Sequence, residues 1–301
     1  MCKRAEIELD DFEVLFGGKE DGIEELVPSV GQRKKADYPV MDIEVGKIDS
    51  FPNHPFSVVD DEEMELLAEN IAQYGIMHPV IVRKAANRYQ MISGHRRLFA
   101  SQKVGKTTIP ARVMELTDDE AAILMADANF LQRTEIKPSE KAKAYRMKYE
   151  AAKHQGKKGM GSSFEEIGDT AGESGRTVQR FIRLSYLSDE LLVLVDEGKL
   201  GIVQGVDISY LCEEYQEFIL SAIKETGVNM SKEQSTKLKE YGQGGKLIPE
   251  MVLLILTEKK PKKRTFSIKE EKLKEYFSEE YSDVEIEQII LELLENWKKG
   301  R

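Results

Sequence analysis

Apolar and polar residues follow two different rhythms along this chain, and the change falls near Thr117. Before it, the short runs PVMDIEVGKI, HPVIVRK, RYQMIS and IPARVMEL are rich in β-branched residues and read as strands. Between the first two, DDEEMELLAENIAQYG puts Met64, Leu67, Ile71 and Tyr74 on one helical face, opens on acids and stops at Gly75. That is the charge bias a helix dipole favours, closed by a glycine cap. Asn87 is expected to turn HPVIVRK back into RYQMIS as a hairpin. That second strand breaks at Ser93-Gly94 and runs through His95-Arg96-Arg97 into a helix carrying Leu98, Phe99 and Ala100. Glycine permits a tight turn, the first helical amides lack intrahelical acceptors, and two arginines follow, so the turn suits an anion such as phosphate. Taken alone, such an arginine pair is more often a solvated face. Residues 35–116 thus form a small α/β unit with this turn at the end of a strand, where ligands bind in such folds.

After Thr117 the period becomes helical. TDDEAAILMADANFLQR starts on Thr117 as N-cap, SEKAKAYRMKYEAAKHQ restarts at Ser139, and GKKGMGSS follows as a loop. In FEEIGDTAGESGRTVQRFIRLSYL, Gly168, Gly172, Ser174 and Val178 supply a small residue at a helix crossing, a turn glycine, an N-cap and a buried β-branched residue. Those are the needs of a helix-turn-helix. Its second helix should bury Val178, Phe181, Ile182 and Leu184 and leave Arg176, Thr177, Gln179, Arg180 and Arg183 outside. Arg176, Thr177, Gln179 and Arg180 lie near its N-terminus and can reach base edges, whereas Arg183 is placed for phosphate. The bland alternative is a helical hairpin with a basic solvated face.

Short helices continue to residue 225, with Cys212 read as a small core residue. A helical stretch covers about 231–257, EKKPKKRT is a basic linker, and the tail holds two amphipathic helices broken near Ser282. The tail's apolar set, Ile286, Ile289, Ile290, Leu293, Leu294 and Trp297, needs a partner, either the chain's own body or a second copy. The fold class is therefore α+β. An acidic disordered tail (1–34) precedes the α/β unit (35–116), a helical helix-turn-helix domain (117–225) and a helical C-terminal region (226–301).

Composition modifies this picture in one respect. The 301 residues carry a net charge of −10, which by itself argues against a nucleic-acid partner. Between Arg133 and Ser185, however, twelve Lys or Arg face seven Asp or Glu. That local basic footprint is what a DNA-contacting segment needs. Two cysteines and four scattered histidines suggest neither a disulfide framework nor zinc. The charged opening and the shortness of the apolar run MVLLIL point to a cytoplasmic protein with no membrane partner.

The order of these parts resembles the ParB-type (ParB/RepB/Spo0J-like) partition proteins, in a form like those carried on mobile elements. AENIAQYGIMHPVIVRK resembles the family's first box, and ISGHRRLFA its second, the Gly-Glu-Arg-Arg motif. NFLQRTEIKPSEKAKAY resembles its third, Glu-Asn-x-Gln-Arg followed by Pro-x-Glu, and the helix-turn-helix comes next. The resemblance implies a ParB/sulfiredoxin-like N-terminal domain and a CTP site with Mg²⁺. At that site Gly94, Arg96 and Arg97 would hold the triphosphate, with Ser93 beside it, His95 and Asn129 at motif positions, and Arg133 reaching in. It further implies a homodimer that binds a palindromic, centromere-like site on double-stranded DNA and closes into a sliding clamp. A ParA-type ATPase partner and a nucleoid- or plasmid-associated location follow from the same resemblance. Two departures stand out: His95 occupies the family's glutamate position, and Asn129 and Phe130 stand where Glu and Asn are usual. Losing both carboxylates should weaken metal binding and CTP hydrolysis.

Two further readings stay open. One is a transcription or replication regulator of a mobile element without the nucleotide switch. The other is a phosphotransferase resembling free-serine kinases, whose Gly-His-type turn is similar to Gly94-His95. Sulfiredoxin chemistry is disfavoured because no cysteine nucleophile lies near Gly94.

Overall fold

The computed structural model describes residues 38–154, 164–258 and, with short gaps, 268–300. The expected acidic tail, the 156–163 loop and the basic linker beyond Glu258 lie outside the described residues. The strands β1 (Val40–Glu44), β2 (Ile48–Asp49), β3 (Val80–Ala85), β4 (Arg88–Ser93) and β5 (Thr108–Met114) make one sheet in the order β1-β5-β3-β4-β2. The β1–β5 and β3–β4 pairs are antiparallel, and β3–β5 and β2–β4 are parallel. The hairpin turns where expected, but Ala86 rather than Asn87 takes the left-handed backbone, with φ 51°. Ile81 pairs with Ser93 and Val82 with Met91, so Ile92 is the extra residue of a bulge. A bulge twists and bends its strand, and this one lies directly ahead of the Ser93-Gly94 turn.

Side chains alternate across a strand, and here both faces are covered. Met91 packs with Val80, Val82, Leu98, Ile109 and Ala111 on one side. Ile92 and Met114 join the helical core on the other. Helix α1 (Glu62–Tyr74) is capped by the Asp61 carboxylate, which accepts from the Met64 amide at 2.9 Å, and ends at Gly75 with φ 79°. Its Met64, Ala68 and Ile71 pack on Ala100 of α2 (His95–Lys103).

The helices continue as α3 (Asp118–Gln132), α4 (Pro138–His154), α5 (Phe164–Asp169), α6 (Gly175–Leu184) and α7 (Asp189–Asp196). They are followed by α8 (Ile202–Ile208), α9 (Glu213–Thr226), α10 (Lys232–Gln243) and α11 (Pro249–Thr257). Thr117 and Glu120 form the capping box of α3. Helix α4 begins one residue ahead of Ser139, with proline in the first turn, where its missing N–H costs nothing. One core runs from Phe51, Phe56 and Ile92 through these helices to Leu256. One compact unit of the chain ends at Thr257. The reason is that Met230, Leu238, Leu247, Val252 and Ile255 complete the core built by α9. Cys212 is corrected, since it is exposed at the N-cap of α9 and the apolar period starts after it.

A second unit starts at Glu258. It holds α12 (Glu270–Leu273) and α13 (Asp283–Lys299), the latter opened by a Ser282–Glu285 capping box at the expected break. No residue of α13 is fully buried, and Leu293, Leu294 and Trp297 of its apolar set are exposed. Among the described residues no helix is long and apolar enough to cross a membrane.

Candidate functional site

Strand β4 ends on buried Ser93, and Gly94 takes φ 107° and ψ 26° to start α2. A Cβ on Gly94 would stand 2.7 Å from Val80 Cγ1, so the turn excludes every side chain on two grounds, contact and backbone. No side chain caps α2, leaving its first amides without a local partner from that source. The next residue, His95, stacks its ring on His54 with centroids 3.8 Å apart and a 37° tilt. His54 Nδ1 lies 2.7 Å from the Phe56 carbonyl, which can only accept, so this nitrogen is the donor. The Nε2 atoms of both rings are buried without a hydrogen-bond partner. Burial, then His54 and Arg133, push the His95 pKa down to about 3, and burial lowers that of His54. Both imidazoles are neutral at pH 7.

The three arginines part company. Arg96 donates through Nη1 and Nη2 to Glu63 Oε2 at 3.2 and 3.1 Å and lies 3.8 Å from Asp61. Arg97 Nη1 donates to the His78 carbonyl at 2.6 Å and the Pro79 carbonyl at 3.3 Å, tying α2 to the chain ahead of β3. Arg133 follows α3 directly; it lies over the Phe56 ring at 5.2 Å and donates to the Ser57 carbonyl at 3.1 Å. Glu140, buried on α4, accepts from the Ser57 amide at 2.8 Å and hydroxyl at 2.6 Å and stands 3.8 Å from Arg133.

Arg96, Arg133, Ser57, Asp61, Lys137 and Glu140 help to line a pocket of about 310 Å³. Of the expected phosphate-binding residues, Arg96 and Arg133 face this pocket. Ser93, Gly94, His95, Arg97 and Asn129 are not on its wall. Asn129 Nδ2 donates to the Met125 carbonyl at 2.8 Å, along its own helix. Sequence reasoning missed Ser57, Asp61, Lys137, Glu140 and His54; only Glu140 carried a signal, as the acid of the Pro-x-Glu pattern. A Mg²⁺ ion needs several hard oxygen ligands. The two motif positions offer a neutral imidazole and an amide turned to its own helix. Asp61 caps α1, and Glu140 is engaged by Ser57. Among the described residues no three His, Cys, Asp or Glu side chains are placed to hold a metal, and the two motif positions, lacking a carboxylate, do not fit Mg²⁺.

The helix pair α5–α6 has the expected turn chemistry. A Cβ on Gly168 would stand 2.2 Å from the Glu173 carbonyl oxygen and 2.9 Å from Val178 Cγ2, so the crossing requires glycine. Gly172 has φ 64°, and the Ser174 hydroxyl accepts from the Thr177 amide at 3.3 Å. Val178, Phe181 and Leu184 are buried, while Arg176, Gln179 and Arg180 are exposed and Thr177 is half-buried. Arg183 differs from expectation. Its guanidinium donates to the Ser209 carbonyl and hydroxyl and lies over the Tyr210 and Tyr186 rings at 4.0 and 4.9 Å, which fixes α6 to the end of α8. A buried pair anchors the first helix: Lys148 of α4 donates to Asp127 of α3 at 2.6 Å and to the Ile167 carbonyl of α5 at 3.0 Å.

The fold and site define an α+β protein in which a small sheet domain with an arginine-lined pocket leads into a helix-turn-helix. Residues 22–130 match the family model of the ParB N-terminal domain. The chain is 33% identical over 206 residues to the "Probable chromosome-partitioning protein ParB" of Pseudomonas putida, covering 68% of this chain and 66% of that protein. This chain belongs to the ParB family. Two crystal structures of C-terminally truncated ParB from Caulobacter crescentus are also similar. One, complexed to the centromeric parS site, is 22% identical with TM-score 0.39 and covers 66% of this chain and 98% of that one. The other, complexed with CTP-gamma-S, is 24% identical with TM-score 0.30 and covers 62% and 98%.

Proposed function

We propose that this chain is a sequence-specific DNA-binding partition protein that reads a palindromic, centromere-like site through α6, with a nucleotide site in its N-terminal domain acting as a switch. The observation that carries the DNA reading is the pairing of a glycine-tight α5–α6 crossing with exposed Arg176, Gln179 and Arg180 on α6. Side chains there can reach base edges when the helix enters the major groove. Ser174, by capping α6, sets its approach, with Thr177 beside it. The nucleotide reading rests on Arg96 and Arg133 facing one pocket beside the Gly94 turn, with CTP as the ligand implied by the family's motif. A homodimer, a ParA-type ATPase partner and a nucleoid- or plasmid-associated location complete the proposal.

A second reading is favoured by His95 and Asn129 at the motif's acid positions: a site-bound regulator of transcription or replication without a working switch. Genome-wide mapping of bound DNA, for the wild type and for Arg96→Ala, separates the two. A peak with broad shoulders that vanish in the variant supports the switched partition protein. One narrow peak, unchanged by the substitution, supports the regulator. The absence of any enriched site overturns both.

A further inference from the structure

We infer that the Arg96–Arg133 pocket takes its nucleoside triphosphate free of Mg²⁺, with guanidinium and ammonium groups supplying the countercharge a divalent ion would otherwise bring. The inference rests on the nucleotide reading above and concerns the form of the ligand.

Three observations carry it. First, neither motif position presents a carboxylate: His95 is stacked on His54, and the Asn129 amide is held by the Met125 carbonyl. A hard cation therefore finds no charged oxygen at either position to replace its water. Second, three cationic side chains, Arg96, Arg133 and Lys137, converge on one pocket. Arginine binds phosphate oxygens through paired N–H donors, which makes it a direct substitute for a metal as the charge partner. Third, Arg96 is held by acids able to give way. Glu63 and Asp61, the partners of Arg96, have side chains 76% and 46% exposed, and Glu135 on the pocket wall is exposed as well. Such exposed pairs contribute little, so exchanging a carboxylate for a phosphate at Arg96 costs little. Glu140 behaves differently: it is buried and held by Ser57, so it stays in place and positions Arg133.

Metal-free binding reverses the usual response to magnesium. Mg²⁺ sequesters free triphosphate in solution, and a protein that binds only the free form loses apparent affinity as Mg²⁺ is raised. The test is calorimetric titration of the full-length protein with CTP-gamma-S in EDTA and in increasing Mg²⁺. The expected result is the tightest binding in EDTA and a steady weakening with Mg²⁺. The double substitution His95→Glu with Asn129→Glu, which restores both acids, is expected to invert that order, and Glu63→Gln to tighten binding in EDTA. Wild-type binding that tightens on adding Mg²⁺ overturns the inference and leaves the nucleotide site standing. No binding in either buffer overturns the nucleotide reading itself. Failure of Glu63→Gln to tighten binding overturns the partner exchange at Arg96.

Discussion

His95 stacks on His54 with ring centroids 3.8 Å apart, at the helix start where the family's turn carries an acid. Substituting a buried neutral pair for a carboxylate alters both the ligand the turn can hold and the way the fold responds to acid.

Acid sensitivity follows from linkage. The His95 pKa falls from 6.5 in the unfolded chain to about 3 in the fold, chiefly through burial. The unfolded chain therefore binds the proton first. Stability is fully present above about pH 6.5 and declines as pH falls toward 3, by at most about 1.4 kcal/mol per pH unit for one such histidine. His54, lowered by the same cause, acts with the same sign, whereas Asp127, raised by burial, opposes it within the carboxylate range. Urea denaturation across this range should show a steeper loss for the wild type than for His95→Gln. Parallel curves would contradict the buried, neutral ring.

Two glycines of the helix-turn-helix should respond differently to alanine. At Gly168 the new Cβ meets backbone, the Glu173 carbonyl oxygen at 2.2 Å, and the crossing must open. We expect a loss of about 3 kcal/mol or more, together with loss of DNA binding. At Gly172 nothing lies within 4 Å, and only the positive φ resists, at about 1–2 kcal/mol. Thermal denaturation of both variants, with Gly172→Asn as a milder control, checks the order.

Arg176 and Arg183 share a helix and should separate function from stability. Arg176→Ala should weaken specific DNA binding by about 1–3 kcal/mol and leave the melting temperature unchanged, since its side chain is exposed. Arg183→Ala removes a charged donor from the Ser209 carbonyl and a cation from two tyrosine rings, so it should destabilise the fold by about 1–3 kcal/mol. Calorimetry alongside fluorescence anisotropy on a duplex carrying the site mapped for this protein distinguishes the two.

The Asp127–Lys148 pair should be costly to break and cheap to replace. Lys148→Met strands a buried carboxylate, with an expected loss of about 3–5 kcal/mol at neutral pH. Burial already raises the Asp127 pKa, so the loss should shrink in acid as the stranded carboxyl takes a proton. Asp127→Leu combined with Lys148→Met should recover most of the stability, measured by guanidinium denaturation. A double variant as unstable as the single would mean that the pair also holds α5 in place through the Ile167 carbonyl.

What the sequence by itself determined were the features written over short distances. Strand and helix periods, the Thr117 and Ser174 caps, the break near Ser282, the Gly94 and Gly172 turns and the glycine at the α5–α6 crossing all follow from residues within a few positions of one another. The tertiary structure alone decided which of these serve the site. Ser57 and Glu140 meet across 83 residues, Arg97 turns to the chain ahead of β3, and Arg183 is taken up by Ser209 and two tyrosines. Cys212 left the core because a helix's period says which face is apolar but not what will cover it. The same limit governs the Gly94 turn. Its residue order suits an anion, but burial and the packing of His54 on His95, which only the packed chain can bring about, set the charge beside it.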